Sequence, residues 1–522
     1  MKKFFLALAA SAAAIASPAS ATWREASTKH FLIYSEQSEG ELRNFASRLE
    51  RYDSAMRADR GIKDSDRGAA NRLTIFVVDS TTQVQKLAGD KKGVVAGFYD
   101  ARAGASVAFM PRRIGTGGAN EMDAEGILRH EYAHYFMFEN FATLAFPQWF
   151  SEGFAEFNAG ARVNPDGSVD LGLPALHRAY GLTRVTSLTM KDLLEPDMKK
   201  FTPAEGDAFY GRAWELTHML TFDPKRSGQL GKFLLALNQG QSGIEAAKTA
   251  FGNLDRLEVD LQSYLKRASF AYKTIPAANV TAGEIAVRQL SAAENAAMPI
   301  KLVSKRGVDR KRALELVPKA RQAAAPFPDD YAAQIMLAEA EFDAGNFAEA
   351  DAAADRAMAA NKSAVAPLLY KGYVAMERAR AAKATDDATW RGVRRWFATA
   401  NRLDPMNPQP LISFYKTFSA AGQKATPNAI AGLHQAYLIA PQDKELRLLA
   451  ARQFLTDGDA ARAREALGPL SYDPHSSPAS VEFAQKVLEK LKTGGPAEAL
   501  AEWERLNKEA AAKAAAAKTS DS

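Results

Sequence analysis

The chain has 522 residues, of which 47% are hydrophobic and 25% charged, the proportions of a soluble globular protein long enough for about two to four domains. Its net charge of +6 arises from no long run of Lys and Arg, which excludes a nucleic-acid footprint. It contains no cysteine, which excludes disulfides, thiolate metal ligands and a cysteine nucleophile.

Residues 1–21 read as a secretory signal peptide. Lys2 and Lys3 form a basic start, residues 4–16 are apolar but too short to span a bilayer, and Ala19-Ser20-Ala21 supplies the cleavage pattern, so the mature chain is expected to begin at Thr22. No later apolar run reaches spanning length. The expectation is an exported protein with no integral membrane span, and the bacterial periplasm suits a chain without cysteine.

Residues 22–140 read as the α/β upper part of a first domain. Residues 30–34 (HFLIY) form a short strand, and 39–57 a helix with Leu42, Phe45, Ala46, Leu49 and Tyr52 on one stripe. Residues 73–78 (LTIFVV) form a buried-type strand; 94–99 and 105–110 are two more, joined by a loop at 100–104 suited to a hairpin. Residues 115–118 are a flexible connection, and Asn120 is placed to cap the next helix. The stretch 118–122 (GANEM) reads as that cap and loop.

Next comes His130-Glu131-Tyr132-Ala133-His134. On a helix, positions i and i+4 share a face, so His130 and His134 can point at one metal ion. Glu131 is rotated by about 100°, which lets it flank the ion without competing for it. Residues 127–138 are apolar on nearly every side, implying a buried helix. Two imidazoles and a carboxylate in such a helix are costly unless something satisfies them, and a metal does so.

Residues 141–268 read as a helical lower part. Pro147 is placed for the first turn of a helix that carries Trp149, Phe150, Phe154 and Phe157 for packing and Glu152 and Glu156 one turn apart. Residues 164–167 (NPDG) form a turn. Residues 211–220 and 254–268 are the clearest later helices, and Tyr210, Trp214 and His218 share a face. His177 and His30 show no partner pattern and read as structural or exposed. Residues 269–290 contain strand-like pieces expected to link this domain to the next.

Residues 291–506 change to Ala-rich helix pairs. Gly345, Asn346, Phe347, Ala350 and Ala357 fit the small and large positions of a tetratricopeptide pair. Ala400 and Ala436 each precede a proline by five positions and lie 36 apart, as do Gly422 and Gly458 at helix–helix turns. Residues 381–389 look like an insertion. Such pairs must stack as a solenoid, a non-repetitive helical bundle being the alternative. Residues 507–522 form a polar tail.

The two motifs together, HExxH at 130–134 and Glu-Gly-Phe-Ala-Glu at 152–156, resemble those of the gluzincins, a clan of zinc peptidases. More narrowly, residues 149–156 (WFSEGFAE) look like a segment of the bacterial peptidase-MA-like proteins, which often carry a signal peptide and tetratricopeptide repeats. The specific likeness covers about 30 residues. It implies an α+β zincin-like domain over 22–290, followed by an all-α solenoid. It further implies that His130, His134 and Glu152 bind Zn2+ and leave a fourth position for water. Glu131 would be the general base. Glu156 would orient the first histidine, although spacing alone leaves Glu152 and Glu156 interchangeable as the third ligand. An oxyanion donor is expected at Tyr210, with His218 as the other candidate; packing of both in a helical core is the plain alternative. The strand at 105–110 would edge the cleft, where a substrate strand can add.

The function expected from this reading is an exported zinc metallopeptidase whose repeats dock a partner or substrate. Its rivals are a non-catalytic repeat adaptor with a vestigial or structural zinc site, and a zinc aminopeptidase, for which the sequence offers no acidic amine anchor.

Overall fold

The computed structural model describes residues 22–90, 93, 95–113, 122–473 and 476–520. The expected signal peptide, the connection at 115–118 and the Asn120 cap lie outside the described residues. The fold is α+β in its N-terminal part and all-helical beyond it.

The first sheet forms around the run at 73–78. Strands β1 (Arg24–Ser27), β2 (Phe31–Ser35) and β3 (Leu73–Val78) are separated by helix α1 (Glu39–Arg60) between β2 and β3. Helix α2 (Thr81–Ala88) follows, then β4 (Phe98–Asp100) and β5 (Val107–Pro111). β2, β3 and β5 are parallel neighbours and β4 pairs antiparallel with β5. A parallel sheet is covered on both faces, so its strands are apolar throughout. In β3, Leu73, Ile75 and Val77 enter the main core, while Phe76 and Val78 enter a second core on the opposite face. That second face carries a row of stacked rings, Tyr34, Phe76, Phe109 and Phe98, with centroids 5.4, 5.0 and 4.8 Å apart.

One expectation fails here. β5 is not an edge. Its two sides are paired with β3 and β4, so the free edge belongs to β4. A substrate strand therefore has no backbone to pair with at 105–110.

The helices that carry the two motifs follow as α3 (Ala124–Asn140) and α4 (Gln148–Ala159). Asp123, within the described chain, caps α3 by accepting from the Gly126 N–H at 2.5 Å. Pro147 is the capping residue of α4 and precedes its first turn. A small sheet starts with β6 (Arg162–Val163) and β7 (Val169–Leu171), joined through the predicted turn, where the Gly167 N–H donates to the Asn164 carbonyl at 2.9 Å. Helices α5 (Ala179–Arg184), α6 (Met190–Leu194), α7 (Pro203–Phe222), α8 (Gln229–Asn238), α9 (Gly243–Phe251) and α10 (Leu254–Leu265) complete the lower part.

The segment 269–290 is more than a linker. β8 (Lys273–Ile275) pairs with β7, and β9 (Ala286–Gln289) pairs with β1 to form the far edge of the six-stranded sheet. Helix α11 (Ala292–Arg306) has two apolar faces. Met298 and Leu302 cover the stacked rings of the sheet, and Ala293, Ala297 and Ile300 pack with the next helices. The boundary expected at 290 falls just before α11, which packs on both parts.

Helices α12 (Arg310–Ala324), α13 (Tyr331–Asp343) and α14 (Phe347–Ala360) continue the chain. Pairs α15 (Val365–Ala381) with α16 (Asp387–Leu403), α17 (Pro408–Ala420) with α18 (Pro427–Ile439), and α19 (Lys444–Thr456) with α20 (Ala460–Leu467) follow, before a kinked α21 (Pro478–Ser520). The insertion expected at 381–389 is taken up largely by the length of α15 and α16, 17 residues each. Gly345, Gly422 and Gly458 turn the chain between paired helices at φ 67°, 65° and 78°, where a side chain would be strained. Among the described residues, no helix is long and apolar enough to cross a membrane.

His30 does have partners. Its Nδ1 lies 2.7 Å from Glu50 of α1 and its Nε2 2.9 Å from Asp64, tying β2 to α1 and the loop beyond it. Burial opposes its charge, but Glu50, Asp53 and Asp64 outweigh that and push its pKa from 6.5 to about 9. A raised folded-state pKa stabilises fully below the ordinary value of 6.5 and is lost as pH rises through about 9. His30→Ala should therefore lower the urea midpoint more near pH ~6 than near pH ~10. An equal loss at both would show that His30 acts by packing alone.

Candidate active site

Helix α3 is fixed from behind by polar contacts of a kind rare in a core. The Tyr132 hydroxyl donates to Asp53 Oδ1 at 2.6 Å, and the Tyr135 hydroxyl to Glu139 Oε1 at 2.9 Å. Arg57 of α1 donates to Asp53 at 2.8 Å and to Glu139 at 3.3 Å. These buried charges are mutually paired, which keeps their burial tolerable and specifies the rotation of α3.

With that rotation set, His130 and His134 face α4. His130 Nε2 is 3.3 Å from His134 Nε2 and 3.3 Å from Glu152 Oε2, and His134 Nε2 is 3.4 Å from Glu152 Oε2. Three donor atoms thus form a nearly equilateral triangle, and all three residues are buried. Ligands of a tetrahedral zinc at about 2.0–2.1 Å stand roughly 3.3 Å from each other. The donor set and its spacing fit one such ion. Glu152, not Glu156, supplies the carboxylate of this triangle.

Gly153 explains how α4 comes so close to α7. A Cβ there would fall well inside contact distance of Thr217 Oγ1 and the Ala213 carbonyl oxygen of α7. The bare backbone lets the two helices touch, and it seats Glu152 opposite the histidines.

Glu156 lies one turn on, behind His130. It receives His177 Nε2 at 2.7 Å, and Arg178 Nε and Nη2 at 3.1 and 2.6 Å. His130 Nδ1 lies 3.4 Å from the same carboxylate. Burial alone would raise its pKa, but His177, His130 and Arg178 bring it down to about 2. His130 is itself pushed up to about 9, because Glu152, Glu156 and Glu131 outweigh the opposing effect of its burial.

Tyr210 and His218 part company. The Tyr210 ring lies 6.4 Å from that of His130, and the Arg178 guanidinium stacks on its face at 4.8 Å. Glu152 first, then burial, push its phenol pKa well up, so it remains a proton donor. His218 points away from the cluster. Its Nδ1 lies 2.7 Å from the Tyr264 hydroxyl and its Nε2 3.0 and 2.9 Å from the carbonyls of Gly172 and Ala271. Burial lowers its pKa to about 4, so it is a neutral core histidine. The shared helix face explains the confusion: Tyr210 and His218 lie more than two turns apart along α7, and only the nearer turn reaches the triangle.

Glu131 faces a cleft of about 630 Å3, together with His134 and Phe138. Tyr99 to Arg102, from β4 and the loop after it, form one rim. The opposite wall comes from the helical repeats: Gln409, Asp443, Lys444, Glu445 and Asp473. Sequence reasoning missed these residues and also His177 and Arg178. No spacing ties any of them to the motif helices, and only the scarcity of histidine could have drawn notice to His177. No family model matches the chain, and no curated protein matches it.

Gly153→Ala should push α4 off α7, at a cost of about 1–3 kcal/mol for an overpacked core. Thermal unfolding checks this, and an unchanged midpoint would show that the helix contact is slack.

Proposed function

We propose that the protein is a zinc-dependent peptidase whose zinc is held by His130, His134 and Glu152. The observation that carries this reading is the donor triangle, with Glu131 on the cleft side of the same helix. When bound, zinc supplies Lewis acidity to a substrate carbonyl and to water.

The side chains divide the remaining work. Glu131 accepts no hydrogen bond from the described residues and faces the cleft, so its carboxylate is available to take a proton from water and return it to the leaving amine. Glu156 fixes the ring of His130, and it is itself fixed by His177 and Arg178. Tyr210, held protonated and backed by Arg178, donates to the oxyanion that develops on the scissile carbonyl. The basic start and short apolar run of residues 1–21 support export, with the mature protein acting outside the cytoplasm.

Glu131→Gln keeps the shape and removes the base. It should lower cleavage of a peptide library by about 10²–10⁴-fold while the protein still folds. Tyr210→Phe should lower kcat by about 10²–10³-fold. Cleavage by Glu131→Gln at the wild-type rate would contradict the assignment of the base.

A further inference from the structure

The repeats do not hang free of the catalytic part. The loop between β4 and β5 plugs into them. Ala103 is wholly buried in the core built from α17 to α21. Its N–H donates to Asp443 Oδ2 at 2.6 Å, and its carbonyl accepts from Gln409 Nε2 at 2.6 Å. Further back, Asn71 Nδ2 donates to the Met406 carbonyl at 2.9 Å. On the lower side, Tyr472 packs against the main core, and Pro469, Tyr472 and Asp473 lie with His134 and Phe138 around a small crevice. The repeats are thereby anchored on both sides of the cleft, and α19 begins at its mouth.

The wall they present carries a net negative charge. Asp443 accepts from two backbone N–H groups, that of Ala103 and that of Leu446 at 2.8 Å. Lys444, the one basic residue among the described residues of that wall, is ion-paired with Asp473. Glu445 is exposed and has no hydrogen bond or ion pair with any described residue. A cleft of about 630 Å3 between two anchored walls has the dimensions of a small-ligand site. It admits a short extended segment and excludes a folded domain.

We propose that the repeat unit is the second wall of the substrate cleft, and that Glu445 selects extended peptide segments carrying Lys or Arg near the bond to be cut. This rests on the peptidase reading and adds the substrate class to it. An ion pair in a water-filled cleft is a weak contact, so the preference is modest, about fivefold per pair, and it fades with salt.

The test maps the cuts made in a degenerate synthetic peptide library by wild type, Glu445→Gln and Glu445→Lys. Wild type should favour Lys and Arg at one position by about fivefold. Glu445→Gln should lose that preference, and Glu445→Lys should turn it toward Asp and Glu. Calorimetric binding to the Glu131→Gln protein separates the two claims, using an Ala/Lys peptide and an Ala/Glu peptide with and without Glu445→Lys. Tighter binding of the Lys peptide that depends on Glu445, with no cleavage by wild type, would overturn the peptidase reading alone. Equal binding of both peptides, or a preference unmoved by Glu445→Lys, would overturn this proposal whatever the cleavage results show.

Discussion

Everything at the centre of this protein follows from placing a carboxylate and two imidazoles together where burial leaves charge poorly solvated. Glu152, His130 and His134 converge within 3.4 Å on the buried faces of two helices. A lone carboxylate there would carry a large desolvation penalty, so the arrangement calls for a positive partner. The triangle's edges match those around a single small divalent ion, which is why the pair of helices makes chemical sense as a unit.

The scaffold spends its unusual features on holding that geometry. Gly153 brings α4 against α7, since any side chain would meet Thr217 and Ala213. The Asp53, Arg57 and Glu139 network holds the rear of α3. Arg178 serves two elements at once, binding Glu156 and lying on the ring of Tyr210. Its remaining nitrogen reaches Asp207 at 2.7 Å, so the guanidinium is fixed from three directions. Contacts of this kind fix the orientation of the side chains they touch.

The legible parts of the sequence were those written in local periodicity. β3, α1 and the motif helix α3 all follow from side-chain spacing over a single element, and the HExxH spacing by itself places His130 and His134 on one face. Long-range pairing was not legible. β1 and β9 are short and mixed in polarity; β1 lies between β2 and β9, and β9 becomes a strand only by pairing with β1 from the far end of the domain. The same limit hid β5's place inside the sheet, next to its edge strand, since a strand's neighbours are not encoded in its own alternation. It hid His177 and Arg178, whose link to Glu156 is purely spatial. It also kept His218 as a second candidate beside Tyr210. The repeat wall was the furthest from view, because the sequence showed a solenoid but not where it would dock.

That docking changes the expected relation between the two halves. Repeats were expected to serve as a docking surface of their own. Ala103, seated in their core, instead binds them to the rim of the cleft. The cleft beside Glu131 is then lined by residues of both halves. The central claim remains the ion. Elemental analysis of the purified full-length protein, with wild type beside His134→Ala, tests it most directly. About one zinc per wild-type chain, lost in His134→Ala while the fold is kept, is the predicted result. Metal-free wild type that takes up no zinc on titration would contradict it.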